Sequence, residues 1–211
     1  MNLTLRNSPN PRDDENVEDL PIPWLLKKCL RNLGVDFCDT QEVNTKNVIS
    51  MEQCLQFWQT LLNECLMELI QSEQAPILRA VGCDSLGSIG PQIFQQLPRD
   101  KQIICITLLF GRTRDEESTV KGAAVRALAI CVLYPSLRED PGFVVDTAES
   151  IYQTLKDDNV MVRIKASWSL GNLSDALVLN NKTGNSYEEI PDSLILKLLH
   201  SSIKEPTTTI K

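Results

Sequence analysis

The sequence predicts an all-α protein, a right-handed α-solenoid of helical hairpins, and three observations predict it. The first is an apolar stripe. Between Asp157 and Leu173 the chain reads DDNVMVRIKASWSLGNL, a turn followed by a helix. Val162, Ala166, Ser169, Leu170 and Leu173 fall at i, i+4, i+7, i+8 and i+11, one side of a 3.6-residue helix. The second is recurrence. Forty-two residues earlier, Val120, Ala124, Leu128, Ala129 and Cys131 stand where Val162, Ala166, Leu170, Gly171 and Leu173 do. A further forty-two residues back come Leu78, Gly82, Leu86, Gly87 and Ile89. A basic residue follows the first stripe position each time (Arg79, Lys121, Arg163), and an acid stands six residues before it (Glu73, Asp115, Asp157). A fixed period of ~40 residues with two helices per unit marks a helical repeat. The third is composition. With 42% apolar but only 5% aromatic residues, the core must rest on Leu, Ile, Val and Ala, which suits close helix packing better than a sheet sandwich.

Taken from the N-terminus, residues 1–20 hold Asn, Pro, Arg and the cluster Asp13, Asp14, Glu15, the composition of a disordered acidic tail. Residues 21–211 are predicted to be the solenoid. PIPWLLKKCLRNLG, from Pro21 to Gly34, has proline at its entry, Leu26, Leu30 and Leu33 on one face, and glycine at its exit. A polar linker over 35–49 leads to Ser50 and Gln53, a capping box for a long helix from Met51 to Ile70. Its predicted apolar face is Leu55, Trp58, Leu62, Cys65 and Leu69. Pro76 opens the next helix, ending near Gly90, so the first unit covers about 51–92. Pro98 opens a helix carrying Ile103, Ile104, Ile106, Thr107 and Phe110; TRDEES turns the chain into the helix 119–133, completing a unit over 98–134.

In the unit 140–177, Asp140 and Pro141 are a cap and first-turn proline for a helix whose Val144, Val145, Ala148, Ile151 and Tyr152 face inward. The stripe helix follows, ending near Leu177. After the loop NNKTGNSYEEI, Pro191 opens a last helix with Leu194, Ile195, Leu198 and Leu199 on its apolar side. Ile210 and Lys211 resemble the pair that begins each stripe helix. The unit 191–211 is therefore expected to be truncated, leaving an apolar end that favours self-association.

The words VRIKASWSLGNL and VKGAAVRALAIC, and less closely LRAVGCDSLGSI, resemble the HEAT repeat. The second helix of that family carries a hydrophobic-basic pair, then small residues, then Leu-Gly. The resemblance implies HEAT/armadillo-like hairpins whose second helices line a concave face, and a non-catalytic scaffold that binds protein partners there. The alternative it leaves open is a regulatory or transport-receptor-like helical region of a larger protein whose active part lies elsewhere.

A net charge of −7 argues against nucleic acid as the main ligand, because phosphate binding needs a basic footprint. The seven cysteines form no CxxC and several fall in apolar runs, so they read as small buried hydrophobes in a reducing compartment. MNLTLRNSPNPRDD is not a signal peptide, and no apolar run is long enough to span a membrane. A cytoplasmic or nuclear location is the expectation. His200 has no paired Cys or carboxylate motif and reads as a surface or packing histidine. Gly82 and Gly87 take the repeat's small positions rather than those of a phosphate loop. Asn172 and Asn181 head glycosylation sequons by pattern only. No catalytic, cofactor-binding or metal-ligating residue is predicted.

Two sets of residues remain. Arg79, Lys121 and Arg163 are either a basic strip for an acidic peptide or one edge of an internal ion-pair ladder with Glu73, Asp115 and Asp157. In the ladder reading each exposed pair contributes only ~0–1 kcal/mol. The other set lies across the helix from the stripe. Six residues on, a helix has turned about 600°, so that position points roughly 120° from the first. It holds Asp84, Arg126 and Trp168, and the flanking positions hold Val81, Ala123, Lys165 and Ser88, Ile130, Asn172. Asp84, Arg126, Lys165, Trp168 and Asn172 are the candidate protein-binding residues. Trp168 is either their anchor or a side chain packed on the neighbouring repeat.

Overall fold

A computed structural model describes residues 50–182 and 190–204, all within the compact unit Ile49–Lys211. The tail 1–20, the helix predicted from Pro21 to Gly34 and residues 205–211 of the last unit lie outside the described residues. Among the described residues every regular element is a helix, and none is long and apolar enough to cross a membrane.

α1 (Met51–Leu61) starts with the predicted capping box. Ser50 Oγ accepts from the Gln53 amide at 3.2 Å, and Gln53 Oε1 accepts from the Ser50 amide at 2.8 Å. A π-helical turn (Leu62–Leu66) continues it into α2 (Met67–Gln71). That turn shifts the inward face. Leu62, Leu66 and Ile70 are fully buried, whereas Cys65 and the predicted Leu69 are only half-buried. A π turn adds a residue to the helical ladder, so positions after it rotate relative to an unbroken helix.

α3 (Pro76–Leu86) carries Pro76 in its first turn. Gly90, at φ 81°, then turns the chain into α4 (Pro91–Gln96), a short helix that the periodicity does not announce. The turn is pinned by Tyr134, whose hydroxyl accepts from the Gly90 amide at 3.1 Å while its ring lies 5.6 Å from that of Phe94. α5 (Arg99–Arg112) and α6 (Ser118–Cys131) follow, then a single turn, α7 (Pro135–Arg138). α8 (Pro141–Thr154) has Asp140 as its cap, with Oδ1 accepting from the Phe143 amide at 3.1 Å. α9 (Val160–Lys182) runs past Leu177, and α10 (Asp192–Lys204) ends the described chain.

α6 is the centre of the packing. Val120, Gly122, Ala123, Ala124, Val125, Ala127, Leu128, Ala129 and Cys131 are all buried along it. α3 packs on one side of α6 and α9 on the other, while α5 and α8 also pack against it. The small residues are what let neighbours so close. The stripe positions Val120, Ala124, Val162, Ala166 and Ser169 are fully buried, as their spacing predicts, whereas Leu78 and Leu170 are half-buried and Gly171 is exposed. Polar side chains on α9 tie the helices together. Ser169 Oγ donates to the Val125 carbonyl at 3.3 Å and Asn180 Nδ2 to that of Arg138 at 2.7 Å.

Two faces differ from expectation. On α5 the buried residues are Cys105 and Leu109, while Ile103 and Ile104 are 52% and 41% exposed. α5 is covered chiefly by α6, and the one helix face turned to it is set by the i, i+4 pair 105 and 109. On α10, Leu194 and Leu198 are buried, α8 being the helix it packs against, while Ile195 and Leu199 are exposed for the same reason.

Candidate protein-interaction surface

The basic strip is consumed inside the molecule. Arg79 donates to Asp115 from Nε at 2.9 Å and from Nη2 at 2.8 Å, while its Nη1 donates to the carbonyls of Ser72 and Glu73. Lys121 pairs likewise with Asp157. Arg79 and Lys121 therefore each reach the acid of the following unit, thirty-six residues on, rather than their own. Asp115 and Asp157 are also turn residues: they accept from the amides of Glu117 at 3.0 Å and Asn159 at 2.9 Å. Arg163 holds its own turn through the carbonyls of Asp157 and Asp158, much as Arg79 does.

The first pair is buried, not exposed, with side chains only 8% and 3% accessible. Burial pushes the Asp115 carboxyl up, but hydrogen bonds from Arg79, the Glu117 amide and Arg112 outweigh it and hold it below the usual carboxylate range. The same balance, with Lys121 and the Asn159 amide, lowers Asp157. The hydrogen bond to Asp115 raises Arg79 in turn.

Cys83, Cys105 and Cys131 are buried, and burial pushes each up to about 12, far from a reactive thiolate.

The face away from the stripe is different. Asp84, Arg126 and Trp168, one from each of α3, α6 and α9, stand in a row and are all exposed. The Arg126 guanidinium lies 5.9 Å from the Trp168 ring centroid, and its Nη1 is 4.0 Å from Asp84 Oδ1. The ion pair is at the edge of contact, with both side chains about half exposed (52% and 49%). Trp168 is 48% exposed, so it is neither packed away between helices nor fully free: one face leans on Arg126 and the other meets solvent.

Lys165 lies beside the row. Its stem runs across to α6 over Gly122, where a β-carbon would come within 2.7 Å of Cδ and 3.3 Å of Nζ. Glycine is needed there for that close approach. Asn172 belongs to the fold instead: its Nδ2 donates to the Ala129 carbonyl at 3.0 Å, so the amide spans α9 and α6. Of the flanking set, Val81, Ile130 and Lys165 are half-buried, Ala123 is buried and Ser88 is exposed.

The sequence reading missed two features of this face. Gly171, one turn beyond Trp168, is exposed and a β-carbon there would meet nothing within 4 Å. Ile77 and Met161, seven residues before Asp84 and Trp168, are 56% and 57% exposed on the same helix sides. The signal was the same period of forty-two, read one residue before the stripe instead of on it.

No family model matches this chain, and no solved structure does. Over 147 residues the chain is 30% identical to an uncharacterised protein of Dictyostelium discoideum, an alignment covering 69% of the chain and 10% of that protein. The chain thus spans about a tenth of the length of this curated relative.

Proposed function

We propose that the described helices form a right-handed α-solenoid of HEAT/armadillo-like hairpins, and that the chain is a non-catalytic scaffold binding protein through the concave face. The observation that carries the proposal is the exposed row Asp84, Arg126, Trp168, which occurs once per forty-two residues on three helices packed in chain order. A side chain as large as Trp held half in water by a neighbouring guanidinium is the kind of anchor that protein interfaces use. Further support comes from base-acid pairs that link successive units in one register. A likeness of residues 99–211 to HEAT repeat-containing protein 6 belongs to the same proposal, as does a cytoplasmic or nuclear location.

Affinity purification of the intact protein tests it. The proteins recovered should be lost with W168A combined with R126A, in a variant with an unchanged thermal melt. Recovery of the same proteins by that variant would overturn the assignment of this face.

A second reading has its own support. Because the chain aligns with only a tenth of its relative, these helices fit equally well as a regulatory or transport-receptor-like region of a larger protein. Binding to a small GTPase or to nuclear pore repeats would favour transport over a plain scaffold.

A further inference from the structure

Two cations gather beside Trp168 in a chain that is acidic as a whole. The protein as a whole carries −7, yet Trp168 is flanked on its α6 side by two cations. Arg126 stacks on the indole and keeps most of its donors free, since its contact with Asp84 is a single one at 4.0 Å. Lys165 makes no ion pair among the described residues, and its ammonium is carried over Gly122. Gly122 and Arg126 are i and i+4 on α6, so the Lys165 ammonium lies over one turn of that helix and Arg126 leaves from the next. Three residues on from Trp168 along α9, Gly171 is exposed, with open space where a β-carbon would stand. Acids bound the patch: Asp84 on α3, and Asp175, seven residues beyond Trp168, roughly 10 Å along α9.

We propose that this patch takes a short acidic segment of a protein partner, with an apolar side chain lying on Trp168 over Gly171 and carboxylates meeting Arg126 and Lys165. The inference rests on the reading of this face as an interaction surface and adds its chemistry. Complementarity of charge selects the occupant: two cations over neighbouring turns of α6 match carboxylates on one short segment, and the flanking Asp84 and Asp175 limit how far an acidic run extends. The open space at Gly171 admits the apolar neighbour. A basic segment, which the net charge would attract over long range, meets like charge at the patch itself.

Selection of random short peptides displayed on phage, using the full chain as target, tests this. Enriched peptides should set Asp or Glu beside Leu, Phe or Tyr, and binding should weaken with salt. Each of W168A, R126A, K165Q and G171E should lower affinity about ten-fold. G171E is the sharpest variant, since its β-carbon meets nothing within 4 Å in the folded chain and its carboxylate repels those of the partner. Enrichment of basic peptides, binding indifferent to Trp168 and Gly171, or no enrichment would overturn the proposal. The scaffold reading fails separately: it falls if the proteins captured by the intact chain survive W168A with R126A, whatever peptides are selected. If those proteins are lost while the enriched peptides are basic, the surface stands and its acidic partner does not.

Discussion

Asp115 is a single carboxylate on which two units of the fold depend, because it closes its own turn and receives Arg79 from the unit before. Its pKa is lowered, so its contribution to stability is complete above the unfolded value near 3.9 and is lost as pH falls through the lower folded value. Asp157 acts in the same direction. Urea midpoints should therefore hold steady through neutral pH and drop below about pH 4, and Asp115→Asn should flatten that drop. At pH 7, Asp115→Ala strands a buried guanidinium and should cost ~3–5 kcal/mol, whereas Arg79→Met with Asp115→Leu should cost far less. Equal losses in the two variants would mean that the charge is not buried. For an exposed pair the expected figure is several-fold smaller, and the burial of Arg79 and Asp115 decides between them.

Helix contacts are set by small residues, and these give opposite predictions at two glycines. Gly82 faces Ile70, where a β-carbon would stand 2.3 Å from Cγ1. Gly82→Ala should destabilise by ~1–3 kcal/mol through overpacking, and Ile70→Ala beside it should cost less than the two single changes added. Additive costs in that double-mutant cycle would place Gly82 away from Ile70. Gly171 is also within a helix but faces open space, so Gly171→Ala should stabilise by ~0.5–1 kcal/mol through backbone entropy alone. A raised melting temperature is the readout. The same packing logic makes Ala124→Leu costly by ~1–3 kcal/mol, since Ala124 is fully buried between helices.

Stability is not spread evenly over the molecule. α6 is covered by α3, α5, α8 and α9, whereas α10 buries Leu194 and Leu198 and exposes Leu196, Leu199 and Ile203 at 65%, 53% and 74%. Local opening costs least where few apolar contacts hold an element. Amide exchange should therefore be slowest around Val120 to Cys131, and faster in α10 than in α9. Equal protection of α6 and α10 in a monomeric sample would contradict this ordering. Nearest-neighbour contacts carry the coupling, so changes at the Arg79–Asp115 link should weaken α3 and α6 together while leaving α10 unaffected.

Helix positions and the buried stripe were legible in the residue order, because both depend on local spacing and caps. Ser50 with Gln53, Asp140 before Pro141, and Val120, Ala124, Val162 and Ala166 behave as their neighbours in the chain dictate. The exposed row was also legible, since a period of forty-two brings Asp84, Arg126 and Trp168 to one side of successive helices. What those side chains touch was not. Arg79 takes an acid from the next unit, Asn172 bonds across to Ala129, and Lys165 lies over Gly122. The inward face of α5 and the phase shift at Leu62–Leu66 likewise depend on which helix lies opposite. Spacing along one helix determines which residues share a side. Only the neighbouring helix, brought there by residues some forty positions away, determines which side is covered and what each polar group can reach.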